Sequence, residues 1–98
     1  MKIRFTRNAA AEIGEIFSYI ARHNPTAAAA VIRQIDRTIA RLAKYPAMGH
    51  VKYKPDVRML PVGRFRQYLV FYTIESDEVV IVSVRHGARR RPWEPPIR

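Results

Sequence analysis

Asn24-Pro25 restricts this 98-residue chain more than any other feature, because it falls between two apolar stripes that both keep helical period. Before it, Ile13, Ile16, Phe17 and Ile20 recur at i, i+3, i+4 and i+7; after it, Ile32, Ile35, Ile39 and Leu42 continue the same spacing. Proline cannot sit inside a helix without removing a hydrogen bond and clashing with the preceding turn, yet it suits the first helical position. Asparagine caps that position. One helix therefore ends and another begins within a few residues, and two amphipathic helices so joined must form an antiparallel hairpin. Thr6 or Asn8 is the expected cap of the first helix. Glu12 and Glu15 near its start and Arg22 and His23 near its end suit the helix dipole. Ala27 to Ala30 favour the second helix, whose polar face carries Arg33, Arg37, Arg41 and Lys44.

The rest of the chain reads as strands. Lys2 to Phe5 alternates polar and apolar, with Ile3 and Phe5 on one face. Pro46 and Gly49 break the pattern after the second helix, and residues 51–56 read as an exposed loop. Val57 to Val62 is a strand, placed by Pro61 at a sheet edge or at its own end. Gly63 to Arg66 is a turn, Tyr68 to Ile74 a strand, Glu75-Ser76-Asp77 a turn and Glu78 to Val84 a valine-rich strand. Tyr68, Val70 and Tyr72 fall on one face of this last hairpin and Leu69 and Phe71 on the other. A sheet apolar on both faces needs two covers, and the helix hairpin supplies one. Residues 1–88 are thus expected to form a single α+β domain of order β-α-α-β-β-β, with the helix hairpin on one face of a small, mainly antiparallel sheet. Residues 89–98 are a basic tail in which Pro92, Pro95 and Pro96 oppose regular structure. Either Trp93 and Ile97 fold back as a partial lid on the second face, or a partner covers it.

Charge narrows the partners. Eighteen Lys and Arg against eight Asp and Glu give a formal net charge of +10, and 14 of the 18 are arginine. Arginine brings a planar fork that grips carboxylates or phosphates with paired hydrogen bonds. Nucleic acid, an anionic membrane or an acidic protein would all be attracted. The longest apolar run, Ala27 to Ile32, is too short to span a bilayer, so no membrane role is expected. Met1 to Arg7 interleaves charge and does not read as a signal peptide. The sequence has no cysteine, which excludes disulfides and thiolate metal sites and suits a reducing cytoplasm. No histidine pair has metal-ligand spacing, and no phosphate-cradling or dinucleotide-binding loop is present, so neither metal nor cofactor is expected. For Arg89-Arg90-Arg91 a binding role is preferred; for Arg22, Arg33 and Arg41, a solvated surface.

Four stretches resemble the RelE/ParE superfamily of toxin–antitoxin toxins, and more closely its ParE branch. They are Ala9-Ala10-Ala11-Glu12-Ile13-Gly14-Glu15-Ile16-Phe17-Ser18-Tyr19-Ile20-Ala21; Asn24-Pro25-Thr26-Ala27-Ala28; Leu42-Ala43-Lys44-Tyr45-Pro46-Ala47-Met48-Gly49; and Arg58 to Phe65 running into Tyr68 to Tyr72, followed by Val84-Arg85-His86-Gly87-Ala88-Arg89. Together they cover nearly the whole chain in order. The resemblance implies a toxin silenced by a cognate acidic, ParD-like antitoxin in a hetero-oligomer. It further implies either inhibition of DNA gyrase, as in ParE-like members, or ribosome-dependent mRNA cleavage, as in RelE-like ones.

Cleavage through a 2′-OH needs a base, an acid and cations around the phosphate. His86, Arg64 and Arg85 are the candidates for that chemistry, with Arg58, Arg66 and Arg89 and the loop lysines Lys52 and Lys54 in reserve. As a general acid His86 has an apt ordinary pKa. As a structural residue it belongs to a turn after the last strand, and that reading is preferred. No tyrosine follows Tyr72, so the C-terminal catalytic tyrosine of several RNase members has no counterpart. Binding of the antitoxin or target is assigned to Arg58, Arg64, Arg66, Arg85, Arg89 and Arg90, with Leu69 and Phe71 as apolar contacts. Arg64 beside Gly63 reads equally as a clamp or as a solvated turn arginine. A third reading, a non-toxic nucleic-acid-binding module, lacks a helix-turn-helix spacing to support it.

Overall fold

The structure, a computed structural model, describes residues 1–53 and 56–88; the tail arginines Arg89 and Arg90, with Trp93, Ile97 and Lys54, lie outside the described residues. The elements are β1 (Lys2–Phe5), α1 (Arg7–Ala21), α2 (Pro25–Lys44), a single 3₁₀ turn (Pro46–Met48), β2 (His50–Tyr53), β3 (Val57–Val62), β4 (Phe65–Glu75) and β5 (Glu78–His86). They build a five-stranded sheet of order β1-β5-β4-β3-β2, parallel between β1 and β5 and antiparallel elsewhere. The two helices pack on one face, as expected.

Both helix starts follow their sequence signals. The Thr6 hydroxyl accepts the Ala9 N–H at 3.0 Å, and the Asn24 side-chain oxygen accepts the Ala27 N–H at 3.0 Å, with Pro25 opening α2. Ile35, Ile39 and Leu42 are buried, joined by Val31 and Ala9, while Ile13, Ile16, Ile20 and Ile32 pack around them. Phe17 departs from its expected stripe: it is 44% exposed, as Phe5 is at 42%. At 100° per residue Phe17 falls on the flank of the α1 stripe, and only its centre reaches the sheet.

Two further expectations, the 51–56 loop and the Gly63 to Arg66 turn, are corrected. Residues 51–53 are part of the edge strand β2; His50-Val51-Lys52-Tyr53 alternates polar and apolar as Lys2 to Phe5 does, but the flanking Gly49 and Pro55 favour a loop reading. β3 is consequently interior, paired with β2 and β4, and of the two placements expected for Pro61 the strand end holds, one residue before Val62. The turn after β3 is only Gly63-Arg64, so Arg66 belongs to β4. On the second sheet face Val57 and Phe71 are buried, with Met59, Leu69 and Val82 around them. The Arg85 guanidinium lies 5.6 Å from the centroid of the Phe71 ring.

Tyr72 locks the α2–β2 connection onto the sheet. Its buried hydroxyl donates to Pro46 O and accepts the Gly49 N–H, each at 2.8 Å. Gly49 has no room for a side chain, since a Cβ there would stand 2.7 Å from that hydroxyl. Arg58, on the same face of β3, donates to Ala47 O at 3.2 Å and Gly49 O at 2.8 Å. Burial raises the Tyr72 pKa above its ordinary value, opposed by the Gly49 hydrogen bond and the Arg58 charge. A raised folded pKa means the folded state holds its proton longer than the unfolded chain, so stability declines as pH rises past the ordinary tyrosine value. Tyr72→Phe should cost about 1–3 kcal/mol in urea unfolding near neutral pH by leaving the Gly49 N–H and Pro46 C=O unpaired. Its loss of stability above pH ~10 should be shallower than that of the parent.

Candidate partner-binding groove

The groove owes its existence to two irregularities in β5. β1 pairs with β5 only from Glu78 to Ile81, so the second half of β5 has an open edge. Within that half, Phe71 pairs with Ser83 and Tyr72 with Ile81, which leaves Val82 as an extra, bulged residue. The bulge changes which residues face the helices. Val79, Ile81 and Val84 all join the helix-side core, although strict alternation would have turned Val84 away. Ser83 and Arg85 are thereby directed to the face of Phe71 and Leu69.

The start of α1 occupies the open edge. The Thr6 N–H donates to Ile81 O at 3.0 Å, and the Thr6 hydroxyl and Asn8 side-chain amide donate to Val82 O at 3.4 and 3.2 Å. Glu12 then does what a neighbouring strand would do: its Oε1 accepts the Val84 N–H at 2.9 Å and the Ser83 hydroxyl at 2.8 Å. Arg85 Nε donates to Ser83 Oγ at 3.0 Å, and its Nη2 stands 4.0 Å from Glu12 Oε2. Glu12 is therefore not a dipole partner of the helix start. α1 begins at Arg7, which puts Glu12 beyond the first turn. Sequence reasoning missed this role; its one trace is a lone serine in a valine-rich strand, two residues before an arginine.

Beyond Glu12, α1 and the end of β5 diverge around a groove of about 970 Å³. Glu15, Tyr19 and Arg22 line it from α1, and Tyr68, Arg85 and His86 from the sheet. Tyr19 is 69% exposed, and the Arg22 guanidinium lies 5.6 Å from its ring centroid. Tyr68 and His86 meet edge-to-face at 5.1 Å, and burial of Tyr68 raises its pKa. His86 is the last residue of β5 rather than the first after it, and its Nδ1 accepts the Ala88 N–H at 3.0 Å. That bond closes the turn anticipated for this tripeptide.

The sequence-nominated residues do not converge on one point. Arg85 and His86 border the groove, with Leu69 and Phe71 on the sheet face beside Arg85. Arg58 lies on the helix-side face, tied to backbone carbonyls. Arg64 is on the turn against α2, where the Gly63 N–H donates to the Thr38 hydroxyl at 3.2 Å. Arg66 is exposed where β3 and β4 shift register, and Lys52 is exposed on β2.

A family model described as the ParE toxin of the type II toxin–antitoxin system parDE matches residues 3–91. The chain belongs to this ParE toxin family. Y4kP of Sinorhizobium fredii is 34% identical over 91 residues, covering 93% of each chain. Among solved structures, a chain of the chromosomal ParDE system from P. aeruginosa superposes with a TM-score of 0.77 at 21% identity, covering 88% of this chain and 95% of its own. The isolated E. coli RelE toxin gives 0.66 at 16% identity, covering 91% and 86%. These likenesses bear out the α+β fold, and family membership makes the protein a toxin of a type II toxin–antitoxin system, with an antitoxin as partner.

Removing Glu12 leaves the Val84 N–H, the Ser83 hydroxyl and the largely buried Arg85 guanidinium to be satisfied otherwise. Glu12→Ala should lower unfolding free energy by about 1.5–3 kcal/mol in denaturant titration, and Glu12→Gln by less, since an amide oxygen still accepts from Val84.

Proposed function

We propose that this ParE-family toxin acts by binding, as a cytoplasmic inhibitor of DNA gyrase held silent by an acidic, ParD-like antitoxin. The observation that carries the reading is the exposed Tyr19–Arg22 pair on the α1 wall of the groove, with the Arg22 guanidinium 5.6 Å from the ring centroid. His86 Nδ1 accepts a backbone N–H, and the neighbouring carboxylate of Glu12 serves β5. Exposed Tyr19 and Arg22 offer an aromatic and cationic surface for a peptide along one wall of the groove. Aromatic and arginine anchors of this kind dominate protein–protein affinity. The antitoxin segment is proposed to lie along α1 in the groove, with a carboxylate on Arg22. Arg58, held by the α2–β2 connection, is not assigned a direct contact in this placement.

The deciding experiment sets the purified full chain in a gyrase supercoiling assay beside a ribosome-programmed mRNA cleavage assay. Loss of supercoiling with intact mRNA, unchanged by His86→Ala, is the expected result. Cleavage of mRNA abolished by His86→Ala would establish the RelE-like endoribonuclease reading instead. For the antitoxin, Tyr19→Ala and Arg22→Glu should each weaken the complex about tenfold or more in calorimetry, a loss of about 1.4 kcal/mol. Unchanged affinity in both would exclude the groove as the antitoxin site.

A further inference from the structure

The exposed side of α2 carries a second, separate feature. Arg33, Arg37, Arg41 and Lys44 are all exposed and follow one another along the helix. At 3.6 residues per turn they fall within an arc of about 80°, and at 1.5 Å per residue they span ~16 Å. None of the four has an ion pair or hydrogen bond through its side chain among the described residues, where the ion pairs involve only Arg4 and Arg85. Asp36, the one acid on α2, lies outside this arc and pairs with none of them. The Gly63-Arg64 turn extends the row sideways. The Gly63 N–H bonds the Thr38 hydroxyl, and a Cβ on Gly63 would collide with the Gln34 side chain, so exposed Arg64 is held against the α2 flank. At the far end Arg41, Lys44 and Tyr45 border a shallow depression of about 470 Å³ floored by Ala40 and Ala43.

Apart from Asp36, the acidic residues named here lie elsewhere. Glu75, Asp77 and Glu78 cluster at the β4–β5 turn, where Arg4 bridges Glu75 and Glu78, and Glu12 and Glu15 belong to α1. A row of cations at such close range repels itself, and on α2 only Asp36, three residues beyond Arg33, offsets that repulsion.

We propose that this ridge of Arg33, Arg37, Arg41, Lys44 and Arg64 is a docking surface for the phosphate backbone of duplex DNA, read without regard to sequence. The charge is regular and extended, as a polyanion's is. One DNA strand presents a phosphate every ~3.4 Å of axis, so the ridge runs beside about five of them. A protein partner would need apolar anchors within the patch, and between the arginines this one offers only alanines and the border residue Tyr45. The ridge is distinct from the groove, which lies between α1 and β5, and the proposal is independent of the gyrase reading.

The test measures fluorescence anisotropy of a short labelled duplex of arbitrary sequence with the full chain, across ~50–200 mM salt. The triple variant Arg33→Gln, Arg37→Gln and Arg41→Gln is compared with Lys2→Gln, Arg7→Gln and Lys52→Gln, which removes equal charge elsewhere. All six residues are exposed, and thermal unfolding of both variants checks that folding is kept. The ridge variant should reduce the slope of log K against log salt by up to about 2.7, roughly 0.9 for each phosphate no longer neutralised, and the control should leave it nearly unchanged. Equal loss in both variants, or no measurable binding by the parent at the lowest salt, would overturn the proposal. So would a poly-glutamate peptide of matched charge that binds the ridge as tightly as the duplex, since the partner class would then be acidic protein.

Discussion

An N–H or C=O of a sheet edge pressed against other protein has no access to water and must find another partner. β5 meets that requirement in an unusual way once β1 ends at Phe5. Backbone and side-chain groups of Thr6, Asn8 and Glu12 take over from the missing strand, each supplying a donor or acceptor where β1 would have placed one. α1 is thereby fixed along the sheet edge by polar contacts as well as by its apolar stripe. The direction of α1 then sets where α2 returns, and with it the whole helix layer. The Val82 bulge belongs to the same arrangement, because it keeps Val84 in the core while turning Ser83 and Arg85 outward to meet Glu12.

A second anchor acts at the other side of the sheet. The Tyr72 hydroxyl and the Arg58 guanidinium together hold the chain from Pro46 to Gly49, which is the only covalent route from the helices into β2. This gives Arg58, an arginine nominated for binding, a task within the structure. Arg58 falls on the helix-facing side of β3 with Leu60 and Val62, and the carbonyls of the connection lie within its reach. Arg85 is similar in kind, its charge balanced by Glu12 and its plane laid over Phe71. Of the many arginines, then, these two serve the fold. Those on the ridge of α2 and on the Gly63-Arg64 turn carry the charge outward.

Much of the architecture was legible in local chemistry. The hairpin of helices followed from two apolar stripes and one Asn-Pro, and both caps formed where side chains of the right length stood. The two faces of β4 followed from alternation alone, with Val70 and Tyr72 against the helices and Phe71 on the other side. β2 was missed although His50-Val51-Lys52-Tyr53 alternates as β1 does, because the flanking Gly49 and Pro55 read as loop punctuation. The groove was only half legible: Arg85 and His86 stood out as chemistry, whereas Tyr19, Arg22 and Glu12 looked like ordinary helix surface.

The sequence by itself determined the element order, the helix boundaries, the apolar faces and the large excess of arginine, because each depends on residues near one another in the chain. Only the tertiary structure decided which arginines are engaged within the fold and which face outward. That depends on where β1 stops, where β5 bulges and which carbonyls or carboxylates come within about 3–4 Å, and partners such as Glu12 and Arg85 are distant in sequence. Arg33 and Arg41, which composition alone left as a solvated surface, are, in the fold, part of a continuous row that makes no ion pair among the described residues. The arginine next to His86 is, in the same fold, already paired.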